Sequence, residues 1–181
     1  MKPVTRVAFA GVSIALAVGL GYALAPVPNI ELVSLAVVLA SFYLGKLIGP
    51  IIGLLSFFLY SLLNPYGLAP PPVLVAQMMG GLFIGLSGSW VRDLYDKIKD
   101  PSGRLIFAGA LGFMVTLVYD VATNLGAYIS AGSQETLMVF LIGGLSFSSM
   151  HLVSNTIIFA IILPLVTKVG FFDNTISRST D

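Results

Sequence analysis

The chain has no cysteine, a single histidine and very little charge. Each shortage excludes something. Without cysteine there is no disulfide, no zinc–thiolate centre and no thiol redox chemistry. One histidine, His151, argues against a zinc site, and no His/Asp/Glu cluster has metal-ligand spacing. Charged residues make up 9% of the 181 positions, against about a quarter in an average soluble domain. No Gly-x-x-x-x-Gly-Lys-Ser/Thr phosphate loop occurs, which excludes ATP hydrolysis by that route. The basic residues are few and spread along the chain, a poor footprint for nucleic acid.

Apolar residues are what the chain has in abundance: 57% of it, with a mean hydropathy of +0.98. This is the composition of an integral membrane protein. At roughly 20 residues per crossing, the length allows about six helices with short loops and no separate soluble domain. The expected fold is an all-α membrane protein, a single domain over residues 1–181 with six transmembrane helices and both termini cytoplasmic. The first apolar run, Val7 to Ala25, is long for a signal-peptide core and reads as a retained span.

In chain order, the first helix runs from Pro3 to Leu24 and stops at Pro26 and Pro28. It carries Gly11, Ala15 and Gly19 at a spacing of four, so that small side chains share one face. On spacing alone that face reads as internal packing. The second helix, about Glu31 to Leu44, and the third, about Ile51 to Leu63, are both short for a full crossing. Between the third and fourth lies Asn64 to Gln77, a stiff uncharged stretch with Pro65, Pro70, Pro71 and Pro72. The fourth helix extends from Pro72 to about Val91 and is followed by a polar loop from Arg92 to Gly103. The fifth covers about Arg104 to Ala127, with a turn at Gly132 to Glu135. Gly143-Gly144 separates a short outer piece from the sixth helix, about Leu145 to Thr167.

Orientation follows from the basic residues. Lys2, Arg6, Lys46, Arg92, Lys97, Lys99, Arg104, Lys168 and Arg178 all fall on one side of a six-span arrangement. The opposite loops hold only Glu31 and Glu135. The positive-inside rule places the basic side in the cytoplasm.

Depth can be counted from those inner charges at 1.5 Å per residue. Gln77 lies about 22 Å above Arg92, Asp120 about 24 Å above Arg104, and His151 about 25 Å above Lys168. Three polar side chains on three helices therefore share one level in the outer half of the membrane. Asn124 shares a face with Asp120, with Tyr119 and Tyr128 close by, and Asn155 shares a face with His151. Glu31, at the top of the short second helix, reaches the same layer. Intramembrane polar groups are costly and face a cavity or a partner. Asp120, the only acid well inside a span, reads as a functional group, with an internal pair to His151 as the alternative.

An enzyme reading meets one candidate, Gly85-Leu86-Ser87-Gly88, which matches the GxSG of rhomboid-type proteases. Ser87 lies only about 7 Å above Arg92, some 18 Å below His151, too far for a nucleophile and its base. The expectation is therefore no catalysis and no cofactor, with Gly85 to Gly88 serving packing.

The whole chain resembles the substrate-binding S components of energy-coupling-factor (ECF) vitamin transporters. The likeness rests on size, the six helices, inward termini and three local patterns: Pro28-Asn29-Ile30-Glu31-Leu32-Val33-Ser34, Asn64-Pro65-Tyr66-Gly67 with Pro70 to Pro72 and Gln77, and His151-x-x-x-Asn155 with Pro164. The resemblance implies an importer subunit in the cytoplasmic membrane of a prokaryote. It would capture a water-soluble vitamin or related micronutrient at the outer face. A membrane-embedded coupling subunit and paired cytoplasmic ATPases would do the rest. It further implies a cavity near the outer face, walled by the fourth to sixth helices and closed by the outer loops. With the depths counted above, the residues expected to line it beneath the Asn64 to Pro72 loop are Asn29, Glu31, Tyr66, Gln77, Tyr119, Asp120, Asn124, Tyr128, His151 and Asn155. The small-residue face of the first helix becomes a docking face in that family. Gly11, Ala15 and Gly19 stand there in place of the usual alanines. Two other readings stay open: a self-sufficient proton-coupled secondary transporter using Asp120 or Glu31, without the internal repeat that would support it, and a non-transporting membrane scaffold.

Overall fold

A computed structural model describes residues 2–132 and 136–169. The expected turn residue Glu135 and the last basic residue, Arg178, lie outside the described residues. Among those described, the chain is entirely helical: α1 (Pro3–Leu24), α2 (Val33–Leu44), α3 (Gly49–Leu62), α4 (Pro71–Lys97), α5 (Pro101–Ala131), α6 (Leu137–Gly143) and α7 (Leu145–Val169). Four of them, α1, α4, α5 and α7, are long and apolar enough to cross a membrane. At 12 and 14 residues, α2 and α3 extend only about 18 and 21 Å.

Local chemistry sets most of the helix starts. Proline stands in the first turn of α1, α3, α4 and α5, where its missing N–H costs nothing. Asp100 caps α5 by accepting from the Gly103 N–H at 2.7 Å, and Thr136 caps α6 through Val139. The break at Gly143-Gly144 falls between α6 and α7 as the sequence leads one to expect. The stretch from Arg92 to Gly103 differs from its expected form as a loop. There α4 continues to Lys97 and α5 begins at Pro101. Charge marks where a helix leaves lipid, not where it ends, and Arg92 pairs with Asp96 one turn on at 3.6 Å.

The centre of the bundle is α2. Nine of its 12 residues are buried, including Val33, Val37, Val38 and Phe42, and it packs against α1, α3, α4, α5 and α7. A helix apolar on every side belongs inside, which accounts for its lack of a polar face. The closest crossing is between α3 and α4, which run antiparallel with Gly53 against Gly81 and Gly49 against Gly85. A Cβ on Gly53 would overlap the Gly81 carbonyl, and one on Gly85 the Gly49 carbonyl. Gly88 likewise faces Val38 and Ser41 of α2. Gly85 and Gly88 thus allow backbone approach, while the Ser87 hydroxyl returns to the Phe83 carbonyl of its own helix at 2.8 Å.

The described basic residues gather at one end. Arg6 donates to the Leu44 carbonyl and Arg92 to the Phe42 carbonyl, both at 2.7 Å. Arg104 lies over the buried Tyr95 ring and donates to the Ile98 carbonyl at 2.7 Å. The Tyr95 hydroxyl meets Thr167 at 3.1 Å, tying α4 to α7. At the other end, the Tyr22 hydroxyl donates to the last carbonyls of α3, Leu59 and Tyr60. The two ends of the bundle are chemically unlike, and the polar interior lies toward the end without cations.

Candidate functional site

The segment from Ala25 to Leu32 folds inward over the non-basic end of the bundle. Its turn depends on Asn29, whose φ of 60° is left-handed, a conformation that asparagine tolerates better than most residues. The Asn29 carbonyl accepts from the Ser154 hydroxyl of α7. That anchor brings Glu31 to the start of α2, where its Oε2 accepts from the Ser34 N–H at 2.9 Å. Leu32, at the N-cap position, has no group to offer, so Glu31 satisfies a free N–H of the first turn from one residue earlier.

The other carboxylate oxygen turns to the interior. Glu31 Oε1 accepts from Asn155 Nδ2 at 2.9 Å and lies 3.9 Å from His151 Nε2. The opposite edge of the imidazole meets Asp120, with Nδ1 2.7 Å from Oδ1. One ring is thus held between two acids from different parts of the chain. Asn155 is fully buried, and its Nδ2 also lies 2.9 Å from Thr116 Oγ1 and 3.2 Å from His151 Nε2. Three acceptors share the two hydrogens of that amide. With Asp120 as a carboxylate, Nδ1 carries a proton and donates. Nε2 then accepts from Asn155 when the ring is neutral and faces Glu31 when it is charged.

Above this network is a cavity of about 360 Å³, lined by residues of the 21–34 region together with α3, α4, α5 and α7. Glu31, Asp120 and His151 form its charged part, Gln77, Asn29 and Asn64 its uncharged polar part, and Phe57, Tyr60, Tyr119 and Phe147 its aromatic walls. Gln77 is held by Ser61, whose hydroxyl donates to Oε1 at 2.5 Å. Tyr119 stands between Phe57 and His151, with ring centroids 4.9 and 6.3 Å away. Compared with known proteins, the chain matches no family model, no curated protein and no solved structure.

The geometry therefore brings together Asn29, Glu31, Gln77, Tyr119, Asp120 and His151 on one cavity, with Asn155 just behind them. Three other expected residues lie elsewhere. Tyr66 is 73% exposed, its N–H bonded to Asn64 Oδ1. Asn124 donates to Ser148 across the α5–α7 contact at 3.2 Å. Tyr128 packs edge-on against Phe140 of α6. Ser34, Tyr60, Thr116 and Thr123 belong to the site or its support without having been singled out. Thr116 was findable, one turn before Asp120 on the same helix face. Among the described residues, no group of three His, Cys, Asp or Glu side chains is arranged to hold a metal ion. The two acids address opposite edges of the imidazole and do not converge on a common point.

The small-residue face of α1 points away from the rest of the chain. A Cβ built on Gly11 or Gly19 meets no atom within 4 Å, and Ala15 is exposed. Among the described residues nothing packs on it.

Proposed function

We propose that this chain is the substrate-binding subunit of an ECF-type importer in the cytoplasmic membrane of a prokaryote. It crosses six times with both termini inside, does no catalysis of its own, and captures a water-soluble vitamin or related micronutrient. The observation that carries the reading is the polar, aromatic-walled cavity at the end of the bundle opposite the cations. By the positive-inside rule that end faces outward, where such a nutrient is met. Its volume is at the small end of the range for small-molecule sites. The uncovered face of Gly11, Ala15 and Gly19 supports docking on a membrane-embedded coupling subunit, because small side chains let two helices approach closely in lipid. Energy would come from that partner's cytoplasmic ATPases.

Two measurements test it. A thermal-shift screen of water-soluble micronutrients against the purified protein should yield a stabilising ligand, since binding to the folded state alone raises its stability. Ala15→Trp should then abolish complex formation and uptake while leaving that ligand's affinity nearly unchanged. Uptake that survives, or binding that fails with it, counts against the docking face. The contact of Glu31 and Asp120 with one imidazole favours a second reading, a proton-coupled transporter acting alone. Substrate accumulation by the purified chain in liposomes, driven by a pH gradient with no partner present, would select it.

A further inference from the structure

Resting on the capture reading above, we propose that the molecule held in this cavity is a compact organic cation, a flat or aromatic frame carrying a positively charged nitrogen with N–H donors. Charge carries the argument first. Two carboxylates and one imidazole line or floor the cavity, and none of the described lining residues is Lys or Arg. Both acids are placed as acceptors: Glu31 takes the Ser34 N–H and an Asn155 hydrogen, and Asp120 takes His151 Nδ1. Counted as carboxylates, the two acids carry two negative charges. Even a protonated His151 leaves one negative charge over, and a neutral one leaves two.

A second, independent observation points the same way. The Asp120 side chain lines the cavity at 10% exposure, and its Oδ2 is buried with no donor in reach. Buried polar atoms are almost always paired, so this unpaired carboxylate oxygen adds to the surplus of acceptors beside the cavity. The walls agree as well. Phe57, Tyr60, Tyr119 and Phe147 offer ring faces, which attract cations and stack on flat frames. An anion would bring further negative charge beside two carboxylates, with His151 already engaged by both of them. A neutral ligand would leave the excess charge uncompensated. Only a cation answers both.

The test uses one ring with a changing substituent, on the intact protein in lipid nanodiscs at pH 7. Benzylamine and benzamidine are cations there, benzyl alcohol is neutral and benzoate is an anion. Expected is at least tenfold tighter binding of the two cations than of benzyl alcohol, with benzoate weakest. Glu31→Gln and Asp120→Asn should each weaken the cations by roughly 10- to 150-fold, the range of a charged hydrogen bond, and weaken benzyl alcohol by clearly less. The charge series on the unaltered protein stands even if a variant fails to fold. Equal or tighter binding of the alcohol or benzoate, no binding of either cation, or cation affinities indifferent to both variants would overturn the proposal. A neutral or anionic micronutrient that still stabilises the protein would then keep the capture reading and discard this one. A cavity that no compound enters discards both.

Discussion

Removing His151 should cost the protein more than removing Asp120, and removing both should cost less than the two together. In His151→Leu the carboxylate of Asp120 loses its only partner among the described residues, because Oδ1 bonds the imidazole and Oδ2 has none there. Breaking a buried pair so that a charge stands alone costs about 3–5 kcal/mol. In Asp120→Leu the imidazole keeps Asn155 and Glu31 at its other edge, so the loss is that of one unmet N–H, roughly 1–3 kcal/mol. Leucine at both positions leaves no orphaned polar group there. The coupling between the two sites should therefore be at least about 1.5–3 kcal/mol, the range of a hydrogen bond to a charged group, against ~0.6 kcal/mol for an ordinary hydrogen bond between membrane helices. Equilibrium unfolding of the four proteins of the cycle, without ligand and in one detergent, measures it. Additivity within ~0.5 kcal/mol, or a larger loss for Asp120→Leu than for His151→Leu, would refute the account of the pair.

Gly53→Ala should destabilise by about 1–3 kcal/mol through overpacking against the Gly81 carbonyl. Gly19→Ala, which meets open space, should leave the melting temperature unchanged or raise it. Equal effects would show that the α3–α4 crossing is not the tight one. A cysteine replacing Asp96 should be labelled only from the cytoplasm, and labelling from outside intact cells would overturn the six-crossing orientation. For a ligand found in the screen, Gln77→Leu should weaken binding several-fold, roughly the 0.5–1.5 kcal/mol of a neutral hydrogen bond. Tyr66→Ala and Asn124→Leu should not, and a loss at either of those two would enlarge the site beyond the cavity.

Much of this arrangement could be read from residues alone, and for identifiable reasons. Prolines at helix starts and the Gly143-Gly144 break act locally, so they needed no tertiary knowledge. The common level of Gln77, Asp120 and His151 followed from rise per residue, and Asp120 and His151 prove to be in direct contact. Counting rise fixes height but not rotation about the helix. Asn124, one turn from Asp120, is drawn to Ser148 instead of the cavity. Charge marks a change of composition at Arg92 and does not tell that α4 continues past it to Lys97. Four prolines made the 64–72 loop conspicuous, but only Asn64 of it lines the cavity. The 25–31 segment lines it more fully, through a left-handed turn at Asn29 and a bond to Ser154 that depend on distant residues.

Glu31 gives one carboxylate oxygen to the cavity network and the other to the first turn of α2, and that double duty has a mechanical side. The far end of the same short rod offers the carbonyls of Phe42 and Leu44 to Arg92 and Arg6. About 18 Å of unbroken helix separates the two sets of bonds. The short rod is thereby fastened at both ends to side chains outside it, through Glu31 to Asn155 of α7 at one and to Arg6 and Arg92 at the other. An all-apolar helix has no polar surface of its own to fix its height in the bundle, and these end bonds set it.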